Sequence, residues 1–164
     1  MLKKGGIDLR ILVFSDSHGD CISMKIALSL YKKIDCILFL GDGEYDFNSL
    51  LNNEMLNGIK TFAVCGNCDY GSNLPKEMTM EFCEKKIYFV HGHTKYVKYG
   101  LDELILAAKE NKADIALYGH THTAMKTYVD GVHIMCPGSI REGFYGIVDI
   151  TDAGIVCFTC NLNN

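Results

Sequence analysis

The chain has 164 residues, 48% of them hydrophobic, and a formal net charge of −4. That supports one core of ordinary size rather than two, and the acidic balance argues against a dedicated nucleic-acid binder. No apolar run approaches the roughly 20 residues that span a bilayer, and MLKKGGIDLR has no apolar stretch after its lysines, so a single cytoplasmic domain without signal peptide or membrane association is expected.

The N-terminal half alternates strand and helix patterns. Asp8–Phe14 is an apolar strand broken by SDSHGD. Cys21–Ile34 reads as a helix with Asp20 as N-cap and Ile22, Ile26 and Leu30 at helical spacing. Cys36–Leu40 is a second strand, ended by GDGEYD. Phe47–Asn57 reads as an amphipathic helix stopped by Gly58, and Lys60–Cys65 is a third strand, ended by GNCDYGSN. This rhythm predicts a parallel sheet covered by helices. In the second half, Met78–Cys83 and Ile87–Val90 form a hairpin around Glu84–Lys86, Gly100–Lys112 is a helix striped by Leu101, Leu104, Ile105 and Ala108, and Asp114–Tyr118 is a strand. The last third reads as strands joined by tight turns containing Asp and Gly. An exposed strand edge there would suit a homodimer.

Eight cysteines in a cytosolic chain are expected as reduced thiols. Cys65 with Cys68, and Cys157 with Cys160, have zinc-knuckle spacing. The second pair lies in a strand pattern, where residues three apart face opposite ways, so small buried side chains are the expected reading.

Five strand ends carry the chemistry: Asp16 and His18, Asp42, Asn67 with Cys68 and Asp69, His91 with His93, and His120 with His122. Strand ends of a parallel sheet share one rim. At i and i+2 of an extended segment, paired side chains project the same way. Glycines before Asp42, Asn67 and His120 would let the backbone turn where a Cβ obstructs. Asp16, His18, Asp42, Asn67, His91, His120 and His122 exceed the needs of one tetrahedral ion, so two divalent ions are expected, with Asp42 as the bridging carboxylate. Mixed oxygen and nitrogen donors suit manganese, nickel, iron, zinc or cobalt better than calcium or magnesium; manganese is the first expectation.

The series DSH, GD, GNCD, HGH and GHTH resembles the calcineurin-like metallophosphoesterases, and among them the small single-domain bacterial and archaeal phosphodiesterases. The likeness runs from Asp16 through Pro137–Ser139. It implies an α/β fold, an αββα sandwich of two sheets flanked by helices. It implies that one ion takes Asp16, His18, Asp42 and His122, and the other Asp42, Asn67, His91 and His120. A water between such ions, its pKa lowered toward about 7, would attack phosphorus in line.

The expected activity is hydrolysis of a small phosphodiester. A phosphomonoesterase or nucleotide pyrophosphohydrolase is the alternative, and a non-catalytic scaffold of the same fold a weaker one. Many family members carry histidine as proton donor where this chain has Cys68. A thiol donates weakly, so His93 is the expected acid, or none is needed for a good leaving group. Asp69 is expected to orient its loop or a histidine, or to be a turn residue. Arg141 is read either as an anion contact or as a surface residue, and His133 as an ordinary sheet residue. Lys95, Tyr96, Lys98 and Tyr99 are read mainly as a solvated loop. Cys136 replaces the family's asparagine before PGS, in a segment that supports the metal loops.

Overall fold

The structure is a computed structural model that describes residues 7–164. Most of the opening stretch on which the signal-peptide reading rests lies outside the described residues. In strand β1 (Ile7–Phe14), Ile11 and Val13 point one way and Leu12 and Phe14 the other, and all four are fully buried. A strand apolar on both faces needs cover on both.

The cover on one side is helical. Helix α1 (Cys21–Ser29) and helix α2 (Glu44–Leu51) bring Met24, Ala27, Leu28, Phe47 and Leu50 against Leu12 and Phe14, with Ile37 and Phe39 of β2 (Cys36–Phe39). The cover on the other side is a second sheet. Ile11, Val13 and Leu38 meet Ile87 and Phe89 of β5 (Lys85–Val90), Ile115 and Leu117 of β6 (Ile115–Tyr118) and Met135 of β8 (Val132–Cys136). Beyond that sheet, helix α3 (Asp102–Glu110) buries Leu104, Ala107 and Ala108 against Tyr88, Ala116 and Ile134.

Both sheets have five strands and both are mixed. With β3 (Lys60–Ala63), β9 (Phe144–Thr151) and β10 (Gly154–Asn161), the first has the order β10-β9-β1-β2-β3. Its β1, β2 and β3 are parallel, while β9 and β10 are antiparallel additions. With β4 (Glu77–Phe82) and β7 (Met125–Val129), the second has the order β4-β5-β6-β8-β7, in which β5, β6 and β8 are parallel. This is the expected αββα sandwich. Among the described residues no helix is long and apolar enough to cross a membrane.

Four expectations change in detail. Asp20 caps α1 by accepting from the Ser23 N–H at 2.9 Å, but Ile22, Ile26 and Leu30 are 69%, 47% and 59% exposed. The sequence carries two apolar stripes on this helix, and the stripe through Met24 and Leu28 faces the sheet. Helix α1 stops at Ser29 rather than Ile34, and α2 starts at Glu44 rather than Phe47. The hairpin turn is Cys83–Glu84, with φ of 48° and 61°, rather than Glu84–Lys86.

Candidate metal centre

Strands β1, β2 and β3 of one sheet and β5 and β6 of the other all end at the same edge of the sandwich. Just past those ends lie the seven expected ligands. The buried Asp16 places Oδ1 3.1 Å from His122 Nε2 and 3.8 Å from His18 Nε2. Asp42 Oδ2 is 3.4 Å from His91 Nε2, which is 3.2 Å from Asn67 Oδ1. Asp16, His18 and His122 each offer a ligand atom within 4.8 Å of the others, and so do Asp42, His91 and His120. The two triads adjoin, with His18 Nε2 3.9 Å from Asp42 Oδ2.

The convergence does not come from extended pairs of residues. Asp16, His18, Asp42, His120 and His122 all have positive φ, between 41° and 67°. This left-handed region is uncommon for residues other than glycine, Asp, Asn and His being the tolerated exceptions. The side chains therefore meet because the backbone turns at the ligands themselves. The preceding glycines serve two purposes. Gly41 has φ +99°, a turn that a Cβ would strain. Gly66 and Gly119 have no such φ; they allow close approach, since a Cβ on Gly119 would lie 2.8 Å from Asp16 Oδ2 and one on Gly66 would strike the Asp42 carboxylate.

Hydrogen bonds hold the ligands in place and leave free the atoms that face inward. Asp16 Oδ2 accepts from Ser15 Oγ at 2.5 Å and from the His120 N–H at 3.0 Å. Its Oδ1 is buried with no hydrogen-bond partner. His91 Nδ1 lies 2.9 Å from the Leu40 carbonyl; donation there fixes the tautomer whose Nε2 lone pair faces Asp42. Asp42 Oδ1 accepts from the Cys68 N–H at 2.7 Å.

Asp69 binds its loop, as expected, and much more. Its Oδ2 accepts from the N–H groups of Asp42 at 2.8 Å and Gly66 at 2.7 Å; its Oδ1 accepts from Gly43 at 2.8 Å and Glu44 at 2.9 Å. One carboxylate thus joins the loops after β2 and β3 and caps α2, whose own N-cap glycine offers no side chain. Asp46 was not anticipated. It is buried, and its Oδ2 accepts from Ser17 Oγ at 2.6 Å and the Gly19 N–H at 2.7 Å, fixing the loop that carries His18. Ser139 Oγ likewise donates to the Asp16 carbonyl at 2.8 Å. Cys136, in place of asparagine, reaches that loop too, with its sulfur 3.4 Å from Thr121 Oγ1 and 4.0 Å from the Gly119 carbonyl.

The other residues singled out in the sequence fall in different places. The His93 ring is 5.4 Å from His91 and 6.1 Å from His120, with Nδ1 buried and unpartnered. Cys68 is exposed at the rim, and its sulfur lies within 4.8 Å of donor atoms of His18 and Asp42. Arg141 is not brought into the cluster; it lines a separate hollow with Ser23, Ile26 and Leu162. Lys95 pairs with Glu77 at 2.8 Å. His133 packs on Tyr128 within the sheet. All eight cysteines are free thiols, and Cys157 and Cys160 face different layers.

Asp16 and Asp42 are 0% and 3% exposed, and among the described residues no lysine or arginine pairs with either. Burial alone would push the Asp42 carboxyl up, but His91 and the Cys68 N–H hold it well below the usual carboxylate range. Burial alone would lower His91; the Asp42 and Asp16 carboxylates raise it. His120 falls to about 4 through burial first and the charge of His91 second, and His93 is lowered by the same two causes. Two buried carboxylates with only histidines beside them and no lysine or arginine are costly unless cations compensate them. The Asp16 Oδ1 without a hydrogen bond, the His91 Nε2 set between Asp42 and Asn67, and the mixed oxygen and nitrogen donors all fit divalent transition metals.

A family model described as the calcineurin-like phosphoesterase superfamily domain matches residues 9–153. The chain is 30% identical over 135 residues to a probable metallophosphoesterase of Bacillus subtilis, YsnB, spanning 81% of this chain and 76% of that one. It is 24% identical over 160 residues to phosphodiesterase MJ0936 of Methanocaldococcus jannaschii, spanning 87% and 90% of the two chains. A conserved protein of Streptococcus pneumoniae described as a predicted phosphoesterase superposes with a TM-score of 0.78 at 28% identity, covering 95% of this chain and 91% of that one.

Proposed function

Since the chain belongs to the calcineurin-like phosphoesterase superfamily, we propose that it is a phosphodiesterase that works with two divalent cations, manganese first among them. The observation that carries this reading is the pair of adjoining triads, Asp16–His18–His122 and Asp42–His91–His120, formed around two buried carboxylates. Asp42 would be the ligand shared by both, and Asn67 Oδ1 would join His91 and His120. When bound, the cations supply positive charge to the phosphoryl oxygens and acidify an attacking water. A small phosphodiester is the proposed substrate; MJ0936, named a phosphodiesterase, supports that class over a monoester.

The residues supply position and protons. The hydrogen bond from His91 Nδ1 to Leu40 puts the lone pair of the neutral ring on Nε2, aimed inward. Asp69 fixes the loop that presents Asp42. His93 adjoins both His91 and His120 without joining either triad, which suits a group that donates a proton to the leaving alkoxide. Burial and the charge of His91 lower the His93 pKa.

No ligand of the seven is missing, which favours an enzyme over a scaffold. The test is to strip the protein with chelator, add manganese, nickel, zinc or magnesium singly, and measure bound metal and hydrolysis of bis(4-nitrophenyl) phosphate beside 4-nitrophenyl phosphate and a dinucleoside pyrophosphate. The expectation is two ions per chain and fastest diester cleavage with manganese. One ion per chain, or activity unchanged by chelation, would refute the proposal; faster cleavage of the monoester or pyrophosphate would move it to those classes.

A further inference from the structure

Beside the metal centre lies a hollow of about 390 Å³ lined by Glu44, Tyr45, Asn48, Cys68, Asp69 and Tyr70. That is within the small end of ligand pockets, roughly 300–1,000 Å³. We propose that it receives the nucleoside part of the phosphodiester cleaved at the adjoining centre; the inference rests on the hydrolase reading above and names its substrate class.

Four observations lead there. The hollow adjoins the centre, because Cys68 lines it while its sulfur lies within 4.8 Å of donor atoms of His18 and Asp42. Its walls are built, not incidental: Asp69 ties the start of α2, which carries Glu44 and Tyr45, to the loop that carries Cys68 and Tyr70, and the same carboxylate holds Asp42. Tyr45 and Tyr70 are 86% and 91% exposed, so the core does not explain their rings. A planar base stacks on such rings.

The fourth observation is polarity. No lysine or arginine lines the hollow, and the Glu44 carboxylate would repel a phosphate. Glu44 can accept from sugar hydroxyls, and the Asn48 amide can pair with a base edge. The phosphoryl group would therefore face the two triads, and the base the tyrosines.

The test compares adenosine 5′-monophosphate with inorganic phosphate by equilibrium dialysis against the manganese-loaded protein. Wild type should hold the nucleotide about tenfold tighter than phosphate, the size expected for one stacked base. Tyr45→Ala and Tyr70→Ala should each lose much of that advantage while phosphate affinity stays unchanged, and Tyr70→Phe should retain it. Both rings are exposed, so these variants should melt like wild type. Equal affinities for nucleotide and phosphate in wild type, or alanine variants indistinguishable from it, would overturn the subsite while diester hydrolysis persists. No phosphate binding and no cleavage of bis(4-nitrophenyl) phosphate would overturn the hydrolase reading and this inference together.

Discussion

Removal of the Asp69 carboxylate is the sharpest single perturbation of this architecture. Its two oxygens accept from four backbone N–H groups at 2.7–2.9 Å. A hydrogen bond to a charged group contributes about 1.5–3 kcal/mol when buried. Asp69 is only half-buried, and water can serve part of the exposed donors, so about 1 kcal/mol each, or about 4 kcal/mol in all, is the reasonable loss for Asp69→Ala. At roughly 2–4 °C per kcal/mol for a chain of this size, the metal-free protein should melt about 10 °C lower. Asp69→Asn keeps one accepting oxygen and turns an NH₂ group toward the other two donors, so it should lose at least half as much. Manganese affinity should fall at least about tenfold in both, because Asp42 loses its anchor. Melting followed by circular dichroism in chelator, with a separate manganese titration, measures both effects. A drop of less than about 2 °C for Asp69→Ala would show that water replaces the carboxylate and that the loops hold themselves.

Asp16→Asn should leave the metal-free melting temperature within about 3 °C of wild type, since a neutral amide relieves a buried charge. It should abolish the rise in melting temperature that manganese gives wild type, which at a hundredfold excess over Kd corresponds to about 2.7 kcal/mol. Burial would raise the Glu77 carboxyl, but Lys95 and Tyr88 hold it below its ordinary 4.5. A depressed carboxylate stabilises fully above 4.5, and that contribution drains as pH falls through the lower native value; Glu77→Gln should therefore flatten the stability profile below about pH 5, read from urea midpoints, and match wild type in slope above it. His93→Ala should slow alkyl diesters at least about tenfold more than nitrophenyl diesters, which need no acid; equal losses in kcat would deny His93 the proton.

What the chain reveals in one dimension follows the range of the forces. The strands were legible because β1, β2 and β6 are apolar on both faces, and the cluster of candidate ligands was legible because polar Asp and His stop each strand abruptly. The start of α2 was not, because its cap is Asp69, some 25 residues further on. The phase of α1 was ambiguous, since Ile22–Ile26–Leu30 and Met24–Leu28 are both good stripes and only packing chooses between them. Of the pairs at i and i+2, only Asp16 and His18 share a triad, and both they and His120 with His122 sit on left-handed backbone, where extended geometry does not apply. Asp46 gave no local signal, because its partners Ser17 and Gly19 belong to a different loop.

The ligands are divided between the two sheets. Asp16, His18, Asp42 and Asn67 follow strands of the first, and His91, His120 and His122 follow strands of the second. Each triad draws on both, so neither half of the polypeptide owns a complete nest of donors. An ion seated there would act as a rivet through the laminate, and its escape would report the moment the layers part. Metal content, followed through a denaturant series, therefore becomes a gauge of how the halves dock.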